Sequence, residues 1–224
     1  MDVDDAITSR RSVRAFTSEP VARATIEHIL AVASRAPSGS NTQPWKVYAV
    51  AGAAKARLSD AILKARLEDP PGTHAGEYHY YLREWREPYL SRRRATGWGL
   101  YGLVGIQKGD VEAGRRQHDR NYIFFDAPVG LVFTLDRDME RGSWIDLGMF
   151  IQNVMLAARG QGLHSCAQAA FMDYHAIIRR ELGVPETEIV VCGMAIGHED
   201  MAKPENRLRL PREPVSAFTR FYDL

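Results

Sequence analysis

Arg10-Arg11-Ser12-Val13-Arg14 and, further along, Pro37-Ser38-Gly39-Ser40-Asn41-Thr42-Gln43-Pro44-Trp45 are the two stretches on which the fold of this chain turns. The first gathers three guanidinium groups and a hydroxyl between two helical segments. Guanidinium forks and hydroxyls are the donors a phosphate monoester takes, although a solvated basic turn has the same composition. The second is a loop of short polar side chains and open backbone amides at a helix–strand junction. It offers donors to a flat ring whose edge is rich in carbonyls and nitrogens, or it is a plain connection. Between the two, Ile26, Ile29, Leu30 and Ala33 recur at helical spacing. That helix starts at Pro20, suited to a first turn, and stops before Pro37.

Outward from these stretches, a first helix is expected over Val3 to Ser9 and a strand over Trp45 to Ala51. Ala53 to Leu67 reads as a helix with Leu58, Ala61, Ile62 and Ala65 on one face. A further helix is expected from Val111 to Phe124 and a buried strand from Pro128 to Leu135. Gly142 to Gly160 reads as a helix apolar nearly all round, which belongs in a core or an interface. Leu163 to Ala167 is a short strand, Tyr174 to Leu182 a helix closed by Gly183, and Glu188 to Gly197 a strand. The tail from Met201 to Leu224 reads as an extended arm carrying Phe218, Phe221 and Tyr222. This order predicts an α+β fold, a mixed central β-sheet flanked by helices. A sheet this small is better buried if two copies share the apolar helix.

The 224 residues read as one domain, 1–224, with an inserted lid region at about 70–110. The insertion carries Tyr78, Tyr80, Tyr81, Trp85, Tyr89, Trp98 and Tyr101 with Arg83, Arg86, Arg92, Arg93 and Arg94, and shows no clear period. Long unpatterned segments between regular elements are usually functional walls or lids. Aromatic faces there suit a flat substrate ring, and an arginine suits an acidic group; packing on the body would use the same residues.

No apolar run approaches the ~20 residues of a membrane span, and Met1 to Thr8 is acidic without a signal core. A cytoplasmic protein is expected. The net charge of +1 gives no field for nucleic acid or membrane. Cys166 and Cys192 form neither a CxxC pair nor a zinc spacing and read as core residues. Gly97-Trp98-Gly99-Leu100-Tyr101-Gly102 fits the dinucleotide pattern literally but lacks the preceding strand. His74, Glu77 and His79 do not share a helical face and lack a further ligand, so no metal is expected. No GxSxG elbow is present to support a serine hydrolase.

Together the two opening stretches resemble the nitroreductase family. Phe125-Asp126-Ala127-Pro128, Gly162-Leu163, Gln168-Ala169-Ala170 and the Asn206-Arg207 region extend the resemblance over almost the whole chain. It implies a nitroreductase-like fold, an intertwined homodimer, and FMN bound at the dimer interface with NAD(P)H as reductant. Arg10, Arg11, Ser12 and Arg14 would hold the ribityl and phosphate groups, with Arg207 adding from the C-terminal side. Glu205 stands where the family often has a lysine, and Lys203 would compensate. Pro37, Ser38, Gly39 and Asn41 would reach the flavin of the partner subunit; Gln168, Ala169 and Ala170 would face its ring. Arg120 and Asn121 would contact the ribityl chain or pyrimidine edge, and Tyr81, Trp98 and Tyr101 the substrate. The implied activity passes two electrons from NAD(P)H to a nitroaromatic, quinone or similar small aromatic acceptor in two half-reactions. No side chain is assigned as a catalytic acid or base, since the flavin performs the redox step. The alternatives are a reductive dehalogenase of halogenated aromatics or halotyrosines, with Glu77 and Tyr81 clamping an amino acid, and a flavin-binding protein without turnover.

Overall fold

The computed structural model describes residues 1–223; Leu224, the last residue of the expected arm, lies outside them. β2 (Val129–Asp136) runs through the centre and is buried almost throughout. Successive strand residues point to opposite faces, so β2 feeds two cores. Val132 packs with Leu58, Ile62, Phe124, Phe171 and Ile178. Leu131, Phe133 and Leu135 pack with Ile29, Leu147, Phe150 and Val154 on the other face. β1 (Lys46–Ala51) pairs with one edge of β2 and β4 (Glu188–Gly197) with the other, and β3 (His164–Gln168) adds to β4. The order is β1-β2-β4-β3. These ladders are all antiparallel. The parallel component of the expected mixed sheet is confined to an isolated bridge from Ser12 to Ser165.

α2 (Arg23–Ala33) and α6 (Arg141–Gly160) supply one core; α3 (Gly52–Glu68) and α7 (His175–Leu182) supply the other. α1 (Val3–Ser9) begins at Asp2, whose side chain accepts the Asp5 N–H at 2.7 Å. α7 ends at Gly183, whose left-handed φ of 68° lets its N–H reach the Arg179 carbonyl. The expected lid region contains one fifteen-residue helix, α4 (Tyr89–Leu103), and Gly97 to Gly102 lie inside it.

Two boundaries differ from expectation. α2 starts at Arg23, three residues beyond Pro20, with Ala22 extended as its cap. The helix expected over Val111 to Phe124 stops as α5 (Val111–Asp119) and continues as a 3₁₀ segment, Arg120–Asp126. The reason is left-handed backbone at Phe124, Phe125 and Asp126, with φ of 55°, 53° and 70°. Such backbone costs about 1–2 kcal/mol per non-glycine residue, and burial of both phenyl rings offsets it. Gly130 and Gly193 make room on the sheet: a Cβ at Gly130 would overlap the Phe124 ring, and one at Gly193 the Phe171 ring. Those two rings stack at 4.5 Å between centroids.

Candidate functional site

The site begins where residues 12–16 lie against β3. The Val13 N–H donates to the Ser165 carbonyl at 3.2 Å, and the Phe16 N–H to the Phe125 carbonyl at 3.1 Å. Asn206, in a short 3₁₀ turn (Pro204–Arg207), pins the tail across this strip. Its Oδ1 accepts the Arg14 N–H at 2.8 Å, and its Nδ2 donates to the Ala15 and Asp200 carbonyls at 2.8 and 2.9 Å. The tail beyond it therefore returns to the N-terminal arginines.

A cavity of about 840 Å³ results, lined by Arg10, Arg11, Ser12, Arg14, Arg159, His164, Arg209 and Arg212. Arg11 pairs with the buried carboxylate of Glu199, and its Nη1 is buried without a partner. Among the described residues no carboxylate pairs with Arg10, Arg14, Arg209 or Arg212. Burial, followed by the neighbouring Arg212, lowers the Arg10 pKa, but a guanidinium so shifted is still charged at neutral pH. Burial and then Arg159 push His164 down to about 4 against the opposing pull of Glu199, so its imidazole is neutral. The cavity is a concentrated cationic cage, compensated by a carboxylate at Arg11 alone among its arginines in the described residues, and suited to a dianion.

Arg14 also lines a second cavity, of about 720 Å³. Cys166 to Ala170 form its floor where β3 ends; Gln117, His118, Asn121 and Phe125 form one wall, and Tyr81, Trp85, Tyr89, Arg92, Arg93 and Tyr101 another. Gln168 is buried, its Nε2 donating to the Asn121 carbonyl at 2.7 Å while its Oε1 has no partner. Burial and then Arg66 lower the His118 pKa, leaving a neutral imidazole.

Arg10, Arg11, Ser12 and Arg14 thus converge on the first cavity, and Gln168, Ala169, Ala170, Tyr81 and Tyr101 on the second. Trp98 lines neither; it is half exposed and stands edge-on to Tyr101 at 6.4 Å. Arg207 lines neither, because it still belongs to the 3₁₀ turn; the extended residues after the turn bring in Arg209 and Arg212. Glu205 is buried against Arg120, which also holds Asp126 at 2.8 Å, and Lys203 lines neither cavity. Pro37, Ser38, Gly39 and Asn41 also line neither cavity of their own chain. The Gly39 N–H donates to Asp146 on α6 at 3.1 Å, so the loop stands on that helix. Glu77 faces Arg137 and Arg179 instead of the second cavity. Gln117, His118, Met172 and Asp173 line the second cavity without having been singled out in the sequence. Helical spacing was the signal for one: Gln117 lies four residues before Asn121.

The α+β fold thus sets a cationic cage beside an aromatic chamber, with Arg14 lining both. The chain belongs to the nitroreductase family, whose model matches residues 7–198. It is 40% identical over 219 residues to a nitrobenzene nitroreductase of Ectopseudomonas oleovorans, covering 98% of this chain and 96% of that one. It is 41% identical over 221 residues to a 4-nitrobenzoate reductase of Nocardioides sp. (strain LMS-CY), covering 97% and 89%. Among solved structures, the FMN- and NADPH-dependent nitroreductase NfnB from sphigopyxis sp. strain HMH superposes with a TM-score of 0.96 at 38% identity over 100% of both chains. The FMN-dependent NfnB from Mycobacterium smegmatis, in complex with NADPH, gives 0.92 at 32%, covering 98% and 97%.

Proposed function

We propose that this chain is an FMN-dependent oxidoreductase that transfers electrons from NAD(P)H to a nitroaromatic acceptor, working as a cytoplasmic homodimer. The observation that carries the reading is that Arg14 lines both the cationic cage and the aromatic chamber. FMN has this shape: a phosphate joined by a flexible chain to a flat heterocycle. The residues fit it on their own chemistry. The guanidinium groups of Arg10, Arg209 and Arg212, which have no carboxylate partner among the described residues, suit the phosphate, and the buried, unpartnered Oε1 of Gln168 suits a ring N–H. When bound, FMN supplies two-electron redox chemistry.

The protein's part is binding, orientation and exclusion of water. Arg10, Ser12, Arg209 and Arg212 would hold the phosphate, Arg14 would reach toward the ring, and Gln168 to Ala170 would face it. Gln168 is fixed by Asn121, so the floor is set before substrate arrives. Nicotinamide and acceptor use one chamber, so the first must leave before the second enters. Reduction of a nitro group to a nitroso group takes two electrons and two protons and releases water. The neutral His118 can donate a hydrogen bond in the chamber, and the protons come from solvent.

Residues 70–110 act as a lid on a single domain. Exposed Ile145 on α6 and the exposed Phe218, Phe221 and Tyr222 of the arm support a second copy as their cover. The partner's loop equivalent to Pro37–Asn41 would then complete each chamber. The free, buried Cys166 and Cys192 suit a reducing compartment. Steady-state rates at several fixed NADPH concentrations test the shared chamber. Parallel double-reciprocal lines against nitrobenzene are expected; intersecting lines would show both substrates bound together and contradict it.

A further inference from the structure

The aromatic chamber is lined by three arginines, and two of them are committed. Arg14 donates from Nη1 to the Ser12 carbonyl at 3.3 Å and faces the cationic cage. Arg92 is held by Glu213 of the tail, with Nη2 at 2.9 Å. Arg93 stands on the same helix, and among the described residues it has neither a carboxylate partner nor a side-chain hydrogen bond. Its guanidinium carbon lies over the Trp85 ring, 4.5 Å from the centroid.

Stacking uses the flat face of a guanidinium and leaves its edge donors free. The stack also holds the group in place, so less side-chain freedom is lost when those donors are used. Tyr81, Tyr89 and Tyr101 line the chamber beside it, so an aromatic ring and an acidic group find their contacts together. We propose that Arg93 is the residue that selects acceptors bearing a carboxylate, so that nitrobenzoates are preferred to neutral nitroarenes. This rests on the nitroreductase reading above and adds the substrate class and its determinant. A carboxylate accepts two parallel N–H donors from the fork, a pairing a neutral ester cannot form at full strength.

The test compares kcat/KM for 4-nitrobenzoate with that for methyl 4-nitrobenzoate, using FMN-loaded native protein, Arg93→Gln and Arg93→Lys. The rate of flavin bleaching by NADPH is followed separately in each. The native protein should prefer the acid, and Arg93→Gln should cut the acid-to-ester ratio about ten- to hundredfold, the loss expected for a charge-assisted pair. Arg93→Lys should keep part of the preference, since it keeps the charge without the fork. An unchanged ratio in Arg93→Gln overturns the assignment. So does a slower NADPH reaction with the ratio unmoved, which would give Arg93 to the phosphates of the nicotinamide. Failure of the native protein to reduce either nitro compound overturns the reading beneath it instead.

Discussion

Arg209 and Arg207 sit two residues apart, yet one lines the cationic cage and the other does not. Arg209→Ala should therefore raise the FMN Kd about ten- to hundredfold, as loss of a charge-assisted contact does, whereas Arg207→Ala should leave it within about twofold. Fluorescence titration of apoprotein with FMN measures both, and equal effects would contradict the placement. The arginine cluster at Arg10 to Arg14 and the floor at Gln168 to Ala170 were legible in the sequence because each is a local run. The arginine supplied by the tail was not: it depends on Asn206 bonding to Ala15, Asp200 and Arg14 across the fold. His164 gives a second residue-scale prediction. Its unfolded imidazole takes a proton near pH 6.5, while burial and Arg159 hold the folded group near 4. Between those values the unfolded chain binds more protons, so stability is lost as pH falls from 6.5 toward 4. Urea midpoints at pH 7 and pH 5 should differ less in His164→Gln than in the native protein; an equal difference would remove His164 as a source of the loss.

The connection leading into α4 is tied down by Glu77 and Tyr78 before it reaches the chamber. Glu77 meets Arg137 at 2.8 Å and Arg179 at 2.9 Å, and Tyr78 donates its hydroxyl to the Val191 carbonyl at 2.6 Å. Burial favours the protonated Glu77, but the hydrogen bonds from Arg179 and Arg137 outweigh it and lower the pKa. The contribution is thus present at neutral pH and lost as pH falls through the lowered value. Glu77→Ala leaves the buried Arg179 with only the more distant, exposed carboxylate of Glu186 at 3.6 Å and should cost on the order of 2 kcal/mol, read as a lower urea midpoint at pH 7 that converges on the native one in acid. A variant as stable as the native protein at pH 7 would show the clamp to be idle. At this scale β4 was legible to the residue, since the run from Ile189 to Gly197 carries no charged or strongly polar side chain and lies inside the sheet. The end of α5 was not. Nothing in Phe124-Phe125-Asp126 announces left-handed backbone, which is held in place by rings packed against Gly130 and Phe171. Strand direction was also out of reach, because pairing partners are set by the tertiary fold.

The loop from Pro37 to Asn41 stands on α6, away from both cavities of its own chain, and this bears on the whole molecule. In the proposed homodimer it serves the other copy's chamber. Copies disabled by Arg10→Ala with Arg209→Ala, mixed and refolded with copies disabled in the loop, should recover about a quarter of native activity. Half the dimers are mixed, and each holds one intact site of two. No recovery would place the loop and the cage in the same chain's site. The two opening stretches could show that both halves of such a site exist, but their assignment to one copy or two needs the fold. The central claim concerns the cofactor and its two half-reactions, and an anaerobic spectrum tests it most directly. Purified protein loaded with FMN is recorded before and after one equivalent of NADPH, and again after nitrobenzene. The account predicts flavin absorption that bleaches with NADPH and returns with the nitro compound. A protein that takes up no FMN, or whose flavin NADPH does not bleach, would contradict it.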